Sequence, residues 1–385
     1  MDDLLEQGRH VMTVCNACRY CEAYCPVFPA IENRVAFSKG DLAYLANLCH
    51  NCGECLYACQ YAPPHEFGIN VPRTLSQIRV GSYEEYCWPR FMRVAFTRQP
   101  LLTAIGAPVG FIAVLLMTTR LDRVEGADFY QVVSHDAMVA LFGAVSVFVL
   151  IALALGCAGL WRDAGRGEET RLPSGSTLRR GFRDALSLRH LQTGGVDCTD
   201  AVDHRAPWRR WLHHATFYGF ALCVASTSVA ALYHLLGWTA PYPAASLPVL
   251  LGTLGGVGLL IGPAGLLVMR VRRDRALGDA THNELDVSFA ALLFSSSLTG
   301  LLLLVLRNGS AMPFLLIVHL GFVLALLLTL PYGKFVHGLY RTAALIKFAM
   351  EEGGAPAAMP SRGHGNPRRG ISVSSRWGWG PSASE

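Results

Sequence analysis

Long runs of apolar residues separated by short polar connections occupy the chain from about residue 100 to about residue 333. Each run is long enough to cross the roughly 30 Å hydrocarbon core of a bilayer as an α-helix. Two stretches, 301–306 and 324–328, are apolar on every face, which favours a membrane span over a core helix with one polar side. The pattern predicts six spans, at about 101–119, 135–160, 212–236, 247–269, 285–306 and 312–333.

The composition of the 385-residue chain agrees with this pattern, since 52% of its residues are hydrophobic and only 16% are charged. The fourth run is rich in glycine between Gly252 and Gly262, and small residues let membrane helices pack closely. A six-helix transmembrane bundle is therefore expected over about residues 99–350. The remaining residues, 351–385, are rich in Gly, Pro, Ser and Arg, which predicts a disordered tail.

Basic residues are concentrated in alternate connections between the predicted spans. Residues 270–275 contain four arginines, whereas 237–246 contain neither Lys nor Arg. The connection 161–210 contains ten, at positions 162, 166, 171, 179, 180, 183, 189, 205, 209 and 210. Because cytoplasmic loops carry the excess of Lys and Arg, these connections and both termini are predicted on the cytoplasmic side of a bacterial inner membrane. The net charge of +5 therefore needs no nucleic-acid partner.

The segment before the first span, about residues 1–98, carries two cysteine runs with the same spacing. They are Cys15-x2-Cys18-x2-Cys21-x3-Cys25 and Cys49-x2-Cys52-x2-Cys55-x3-Cys59. This spacing matches bacterial two-cluster ferredoxins, in which the fourth cysteine of each run ligates the other cluster. The predicted ligands are Cys15, Cys18, Cys21 and Cys59 for the first [4Fe-4S] cluster, and Cys25, Cys49, Cys52 and Cys55 for the second. The segment is thus predicted to be a ferredoxin-like electron-transfer domain.

Zinc and disulfide bonds are the alternatives for these cysteines. Structural zinc sites usually offer paired Cys-x2-4-Cys halves, whereas the two runs here supply eight thiolates without any His. The first residues, Met1 to Glu6, lack the basic and apolar regions of a signal peptide. Reduced, metal-bound cysteines are therefore expected rather than disulfides. The other cysteines, at 87, 157, 198 and 223, lack cluster spacing.

Histidines within membrane spans are candidates for functional sites, because ionisable residues are uncommon there. His319 and His337 are 18 residues apart, which on one continuous helix is five turns and places both on one face about 27 Å apart. The third span has His213 and His214 at its cytoplasmic end and His234 at its outer end. Antiparallel helices bring like ends together, so His337 would face His213 or His214. The other pair would be His319 with His234, which gives the bis-His ligation of a two-haem cytochrome b.

The choice between the two neighbouring histidines stays open. On an ideal helix His213 lies about 60° from the face of His234, whereas His214 lies about 160° from it, which favours His213. Pro331 lies between the two histidines of the last span, and proline kinks helices.

Three features are predicted at the membrane surface. Leu178 to Leu191 could form a short amphipathic helix that lies on the membrane or docks a partner. His135 and His282, at the ends of their spans, are predicted to be interfacial residues or to contact quinone rather than to bind haem iron.

Several segments together resemble a known family, the tricarballylate- or citrate-utilization protein B proteins, whose domains also occur fused to a flavoprotein in a cobalamin-biosynthesis enzyme. Besides the cysteine runs, the segments that carry the resemblance are Arg189-His190-Leu191 with Gly194-Gly195 and Cys198, His213 to Phe220, Gly262 to Leu266, and Pro331 to Gly338. The resemblance spans about residues 15–347. It implies that electrons pass from the reduced FAD of a separate, tricarballylate dehydrogenase-like enzyme to membrane quinone through iron–sulfur clusters and b-type haem.

The sequence thus predicts a mainly α membrane protein that serves an oxidoreductase system as its electron-transfer subunit. Substrate oxidation is expected in another polypeptide, because no FAD or NAD fingerprint follows a strand in this chain. Two alternatives remain. One is an electron relay for a heterodisulfide- or nitrate-reductase-like partner, and the other is a non-catalytic redox sensor or membrane anchor.

Overall fold

The computed structural model describes residues 2–92, 100–119, 129–165, 172–193, 196–197 and 208–354. In these residues the regular structure is helical apart from a short antiparallel pair, β1 (Gln192–Thr193) and β2 (Val196–Asp197). The mainly α fold predicted from the sequence is confirmed. The disordered tail predicted from residue 351 is wrong for residues 351–354, which are helical. The rest of that tail, the Gly194-Gly195 break and Cys198 lie outside the described residues.

The N-terminal domain is built from short helices around a small apolar core. Its helices are α1 (Asp2–Cys18), α2 (Val27–Glu32), α3 (Lys39–Leu48), α4 (Glu54–Tyr57) and α5 (Val71–Tyr86). α1, α3 and α5 pack together around the buried side chains of Met12, Leu45 and Leu75. α3 begins at a capping box, in which Ser38 accepts the N–H of Asp41 and the Asp41 carboxylate accepts the N–H of Ser38. These helices form the frame that holds the cysteine loops.

Six further helices are long and apolar enough to cross a membrane, as the sequence predicted. They are α6 (Pro100–Thr118), α8 (His135–Ala164), α10 (Trp208–Leu235), α11 (Leu247–Arg272), α12 (Ala280–Leu306) and α13 (Met312–Thr329). The shorter helices are α7 (Phe129–Val132) and α9 (Gly175–Leu186), and α14 (Val336–Gly354) follows the last span. α10, α11, α12, α13 and α6 pack in succession, while α8 contacts α13 and the N-terminal domain. This bundle is compatible with a multi-pass membrane protein.

The last predicted span ends earlier than the sequence pattern indicated. α13 stops at Thr329, and the N–H groups of Tyr332 and Gly333 both donate to the Thr329 carbonyl in a tight turn. Pro331 has no N–H to continue the helix and its ring crowds the preceding turn. α14 then begins at Val336. The prediction that His319 and His337 lie on one continuous helix is therefore wrong, because His319 lies within α13 and His337 lies in the first turn of α14.

α14 leaves the bundle and packs against the N-terminal domain and α9. Its residues Ala344, Leu345 and Phe348 are buried in the core of the N-terminal domain. Arg34 of that domain forms an ion pair with Glu351 at 2.7 Å, and both side chains are largely buried. The C-terminal helix thereby fastens the cysteine-containing domain to the bundle.

α9 is the short helix that the sequence predicted within the 161–210 connection. It begins after Ser174, whose hydroxyl accepts the N–H of Thr177. Gly181 faces Ile346 of α14, so this side of α9 packs within the protein.

Glycines allow the close approach of α10 and α11. A Cβ added at Gly219 would lie 2.9 Å from the carbonyl oxygen of Gly255, and one at Gly258 would lie 2.9 Å from that of Ala215. The glycine-rich run of the fourth span therefore serves backbone packing, as small residues commonly do in membrane helices.

We predict that Gly219→Val separates α10 from α11 and lowers the thermal midpoint of the detergent-solubilised protein by several degrees, because overpacking typically costs about 1–3 kcal/mol. The matched control is Gly143→Val, since no atom lies within 4 Å of a Cβ added at Gly143. Equal unfolding midpoints for the two variants in a thermal melt would contradict this packing account.

Candidate cofactor-binding sites

The first candidate site is a cavity at the C-terminal end of α1. The four cysteines predicted to ligate the first cluster line it: Cys15, Cys18, Cys21 and Cys59. Cys55 also lines this cavity. α1 ends at Cys18, and Arg19 then adopts a left-handed conformation with φ 55° that turns the chain. Gln60 Nε2 donates a hydrogen bond to Cys18 Sγ at 3.7 Å. Thiols from both cysteine runs therefore line this one cavity.

The second candidate site lies beside the first, nearer to the bundle. Its cavity is lined by the other four predicted ligands, Cys25, Cys49, Cys52 and Cys55. Gly53 precedes α4 with φ 100°, a conformation that favours glycine, and it lets Cys52 and Cys55 face one cavity. The backbone N–H of Asn51 donates to Cys49 Sγ at 3.3 Å. The structure therefore brings together the two crossed sets of cysteines that the ferredoxin spacing predicted.

The donor chemistry of both cavities fits iron–sulfur clusters. Burial, and then repulsion from neighbouring cysteines, raises the pKa of the Cys15 thiol to about 12. The same two causes raise the pKa of Cys21 to about 11 and that of Cys55 well above its usual value. Grouped thiols that resist ionisation need a cationic core to hold them as thiolates.

Four arginines surround the loop that carries Cys49. They donate hydrogen bonds to the three consecutive carbonyl oxygens of residues 49–51 from separate segments: Arg79 and Arg341 to Cys49, Arg209 to His50, and Arg273 to Asn51. From the sequence alone, the arginines near the spans indicate only the membrane topology. Their contacts could not be found from the sequence because they join residues as far apart as Asn51 and Arg273.

The arginines also complement the charge of the second cysteine set. Arg341 interacts favourably with Cys49, and Arg273 with Cys52. Buried cations are costly unless they are paired, and a set of four thiolates on an iron–sulfur core supplies the matching negative charge. Burial and the nearby Arg341 lower the pKa of His50 well below its usual value, so this imidazole is neutral. The donor set and its surroundings thus fit an anionic cluster.

Two of the predicted haem ligands lie together at the end of the bundle that carries the iron–sulfur domain. His213, in the second turn of α10, interacts electrostatically with His337, in the first turn of α14. His337 Nδ1 lies 2.6 Å from the Lys334 carbonyl oxygen, which leaves Nε2 as the lone-pair nitrogen. His214 instead stacks on Tyr218, whose side chain is 45% exposed. The interaction with His337 and the stacking of His214 on Tyr218 agree with the choice of His213, and the pairing itself stays a prediction.

The other two predicted ligands lie toward the opposite end of the bundle. His319 Nδ1 is 3.1 Å from the Ser296 carbonyl oxygen and 3.2 Å from Thr299 Oγ1. The His234 ring stacks on His135 at 3.6 Å between centroids. Metal-binding histidines commonly donate their second ring nitrogen to a carbonyl, so His319 and His337 both have the orientation that a ligand needs. The predicted pairing of His319 with His234 stays a prediction.

A buried charged cluster near His337 was not predicted from the sequence. Asp286 bridges Arg270 and Lys334, with distances of 2.8 Å and 2.7 Å to their nitrogens. Lys334 Nζ also lies 2.8 Å from His282 Nε2. The available signal was Asp286 itself, because an ionisable residue inside a predicted span is a functional candidate.

The six apolar helices and the attached ferredoxin-like domain define a multi-pass, membrane-type iron–sulfur protein. The model of the family Citrate utilization protein B matches residues 98–358, and the model of its Fer4-like domain matches residues 8–85. A Citrate utilization protein B of Escherichia coli is 45% identical over 349 residues, which cover 89% of this chain and 91% of that relative. The chain therefore belongs to the citrate utilization protein B family.

This family membership confirms the resemblance found in the sequence. Together with the Fer4-like domain, it indicates an iron–sulfur electron-transfer role in citrate or tricarboxylate utilization. No solved structure matches the chain.

We predict that Gly53→Ala removes the second cluster selectively. A Cβ at Gly53 would lie 2.7 Å from Leu277 Cδ2, and φ 100° is unfavourable for alanine. Wild-type protein should contain about eight non-haem iron atoms and as much acid-labile sulfide, and the variant about half of each.

The matched control for this variant is Gly68→Ala, because Gly68 also has a positive φ of 55° but no atom within 4 Å of its added Cβ. The control should keep the wild-type iron content. Full iron content in Gly53→Ala, or zinc in place of iron in the wild-type protein, would contradict the assignment.

Proposed function

We propose that this chain is the membrane electron-transfer protein that reoxidises the reduced FAD of a partner tricarboxylate dehydrogenase and delivers the electrons to membrane quinone. The observation that carries the proposal is that two neighbouring cysteine cavities lie in a domain whose second cavity is joined to an apolar helix bundle by hydrogen bonds from Arg209 and Arg273. The family resemblance supports the flavoprotein donor and the quinone acceptor. Tricarballylate or citrate is the substrate class of the partner, in line with the name of the Escherichia coli relative.

The residues of this chain would hold the redox groups as follows. Cys15, Cys18, Cys21 and Cys59 would bind one [4Fe-4S] cluster, and Cys25, Cys49, Cys52 and Cys55 the other. His213 with His337, and His319 with His234, would hold b-type haem. When bound, these groups supply one-electron oxidation and reduction, and the protein positions them and sets their potentials.

The chain itself controls the surroundings of these groups. Hydrogen bonds from the Asn51 N–H and from Gln60 Nε2 to cysteine sulfur would stabilise the reduced form of a bound cluster and raise its potential. The arginines at residues 49–51 fix the second cavity against the bundle ends that carry His213 and His337. This adjacency gives electrons a short route from the domain to the bundle.

The membrane orientation belongs to the same proposal. The helix α9 of the arginine-rich connection and the iron–sulfur domain lie at one end of the bundle, because both pack against α14. By the distribution of positive charge this end would be the cytoplasmic side of a bacterial inner membrane. Arg183, 68% exposed on α9, belongs to a basic surface that would steer an acidic flavoprotein to this end.

Mixing the reduced flavoenzyme with membranes that contain this protein tests the function. Under anaerobic conditions the flavin should be reoxidised, and a soluble quinone analogue should accelerate turnover. Membranes with Cys18→Ala, which loses a ligand of the first cluster but keeps all six spans, should fall to the background rate. If the flavoenzyme leaves the protein oxidised while another donor reduces it, the proposed partner is wrong.

The haem assignment makes a separate prediction. His337→Ala and His319→Ala should each lose a different b-type haem, because the two residues lie toward opposite ends of the bundle. His213→Ala should lose the same haem as His337→Ala, whereas its neighbour His214→Ala, which faces Tyr218, should retain both. Reduced-minus-oxidised visible spectra measure these losses. Unchanged spectra in His213→Ala and His337→Ala would refute the ligand pair.

A further inference from the structure

A cavity opens between α6, α12 and the turn that follows α13, at the end of the bundle nearest the iron–sulfur domain. Its lining is mostly apolar, with hydroxyl groups and one ammonium group, and includes Ala104, Leu285, Phe289, Leu292, Thr329 and Lys334. A lining of this composition suits a small amphipathic ligand with a ring and a few polar atoms.

The polar end of the cavity is formed by Lys334 and the charged cluster behind it. Asp286 is ion-paired with both Arg270 and Lys334, and His282 lies against Lys334 Nζ at 2.8 Å. Two cations therefore share one carboxylate, which leaves an excess of positive charge. The hydroxyls of Ser288 and Thr329 already donate to helix carbonyls. A ligand here should therefore present a hydrogen-bond acceptor to Lys334.

The surroundings of the cavity indicate a ligand that arrives from the bilayer. On α6, Thr103 and Ala104 line the cavity, while their neighbours Leu102 and Ile105 are 62% and 65% exposed on an apolar helix. These outward side chains would contact lipid tails in a membrane. A lipid-soluble molecule could therefore reach the cavity laterally, without passing through water.

The cavity is also connected to the candidate haem ligands. Lys334 provides the carbonyl oxygen that lies 2.6 Å from His337 Nδ1, so one short turn separates the cavity from the His213–His337 pair. A ligand bound beside Lys334 would lie where electrons arriving in the bundle are first available.

We propose that this cavity binds the headgroup of the membrane quinone, with Lys334 Nζ donating a hydrogen bond to one quinone carbonyl and Asp286 positioning the lysine. This inference rests on the proposed function and assigns its acceptor site. The overall reaction, in which the reduced flavin of the donor and quinone become oxidised flavin and quinol, balances two electrons and two protons. The apolar wall formed by Leu285, Phe289 and Leu292 would hold the ring.

Photolabelling of the full-length protein in membranes tests the site. The probe is a photoreactive azido-benzoquinone with a short prenyl tail, competed by the same quinone without the azide. Ala104→Trp fills the cavity from α6 without removing a charged group, and Lys334→Met removes the proposed donor. Val305→Trp is the matched control, because this α12 residue is 78% exposed near the other end of the helix.

In wild-type protein the label should map to the peptides around Ala104 and Leu292. Both cavity variants should lose about tenfold in labelling and require about tenfold more quinone for half-maximal reoxidation. Their haem spectra and iron content should stay unchanged, which separates a binding defect from misfolding. Val305→Trp should behave as the wild type does.

Two results would overturn the site while leaving the proposed function in place. One is a label that maps elsewhere with Ala104→Trp behaving normally, and the other is displacement of the label by an anionic phospholipid but not by quinone. If the reduced wild-type protein neither takes up the label nor is oxidised by quinone, both the site and the proposed acceptor are wrong.

Discussion

Hydrogen bonds from arginines to the carbonyl oxygens of residues 49–51 hold the iron–sulfur domain and the helix bundle together. The four arginines that donate to them come from α5, from the start of α10, from the end of α11 and from α14. Hydrogen bonds from a charged donor are stronger than neutral ones, and each requires its own segment to be in place. The position of the second cysteine cavity and the arrangement of three helix ends are therefore coupled.

The same contacts explain how so much positive charge is accommodated at this end of the bundle. Arginines near one another repel, and burial adds to the cost. Thiolates on a cluster would offset that cost, since Arg273 and Arg341 already interact with Cys52 and Cys49. Loading of the second cluster would then stabilise the junction between the domains as well as equip it for electron transfer.

The break at Pro331 divides the last part of the chain into two helices that pack against different parts of the protein. α13 completes the bundle, and α14 turns back to pack its apolar face into the iron–sulfur domain, where Glu351 pairs with Arg34 at 2.7 Å. Because of this turn, His337 is positioned by a helix anchored in the iron–sulfur domain rather than by the bundle alone. Lys334 lies within the turn and links that helix to Asp286 on α12.

The sequence by itself determined the six apolar helices, the separate cysteine-rich domain and the family. It also predicted the two sets of four cysteines, in which the fourth member of each set comes from the other run. These are local signals, because hydrophobic run length and ligand spacing are written in consecutive residues. Only the tertiary structure decided that His214 stacks on Tyr218, that Pro331 ends the last span, and that Asp286 joins Arg270 to Lys334. Those outcomes depend on the rotation of each helix about its axis and on contacts between distant residues, such as Asn51 with Arg273, which periodicity along one chain does not specify.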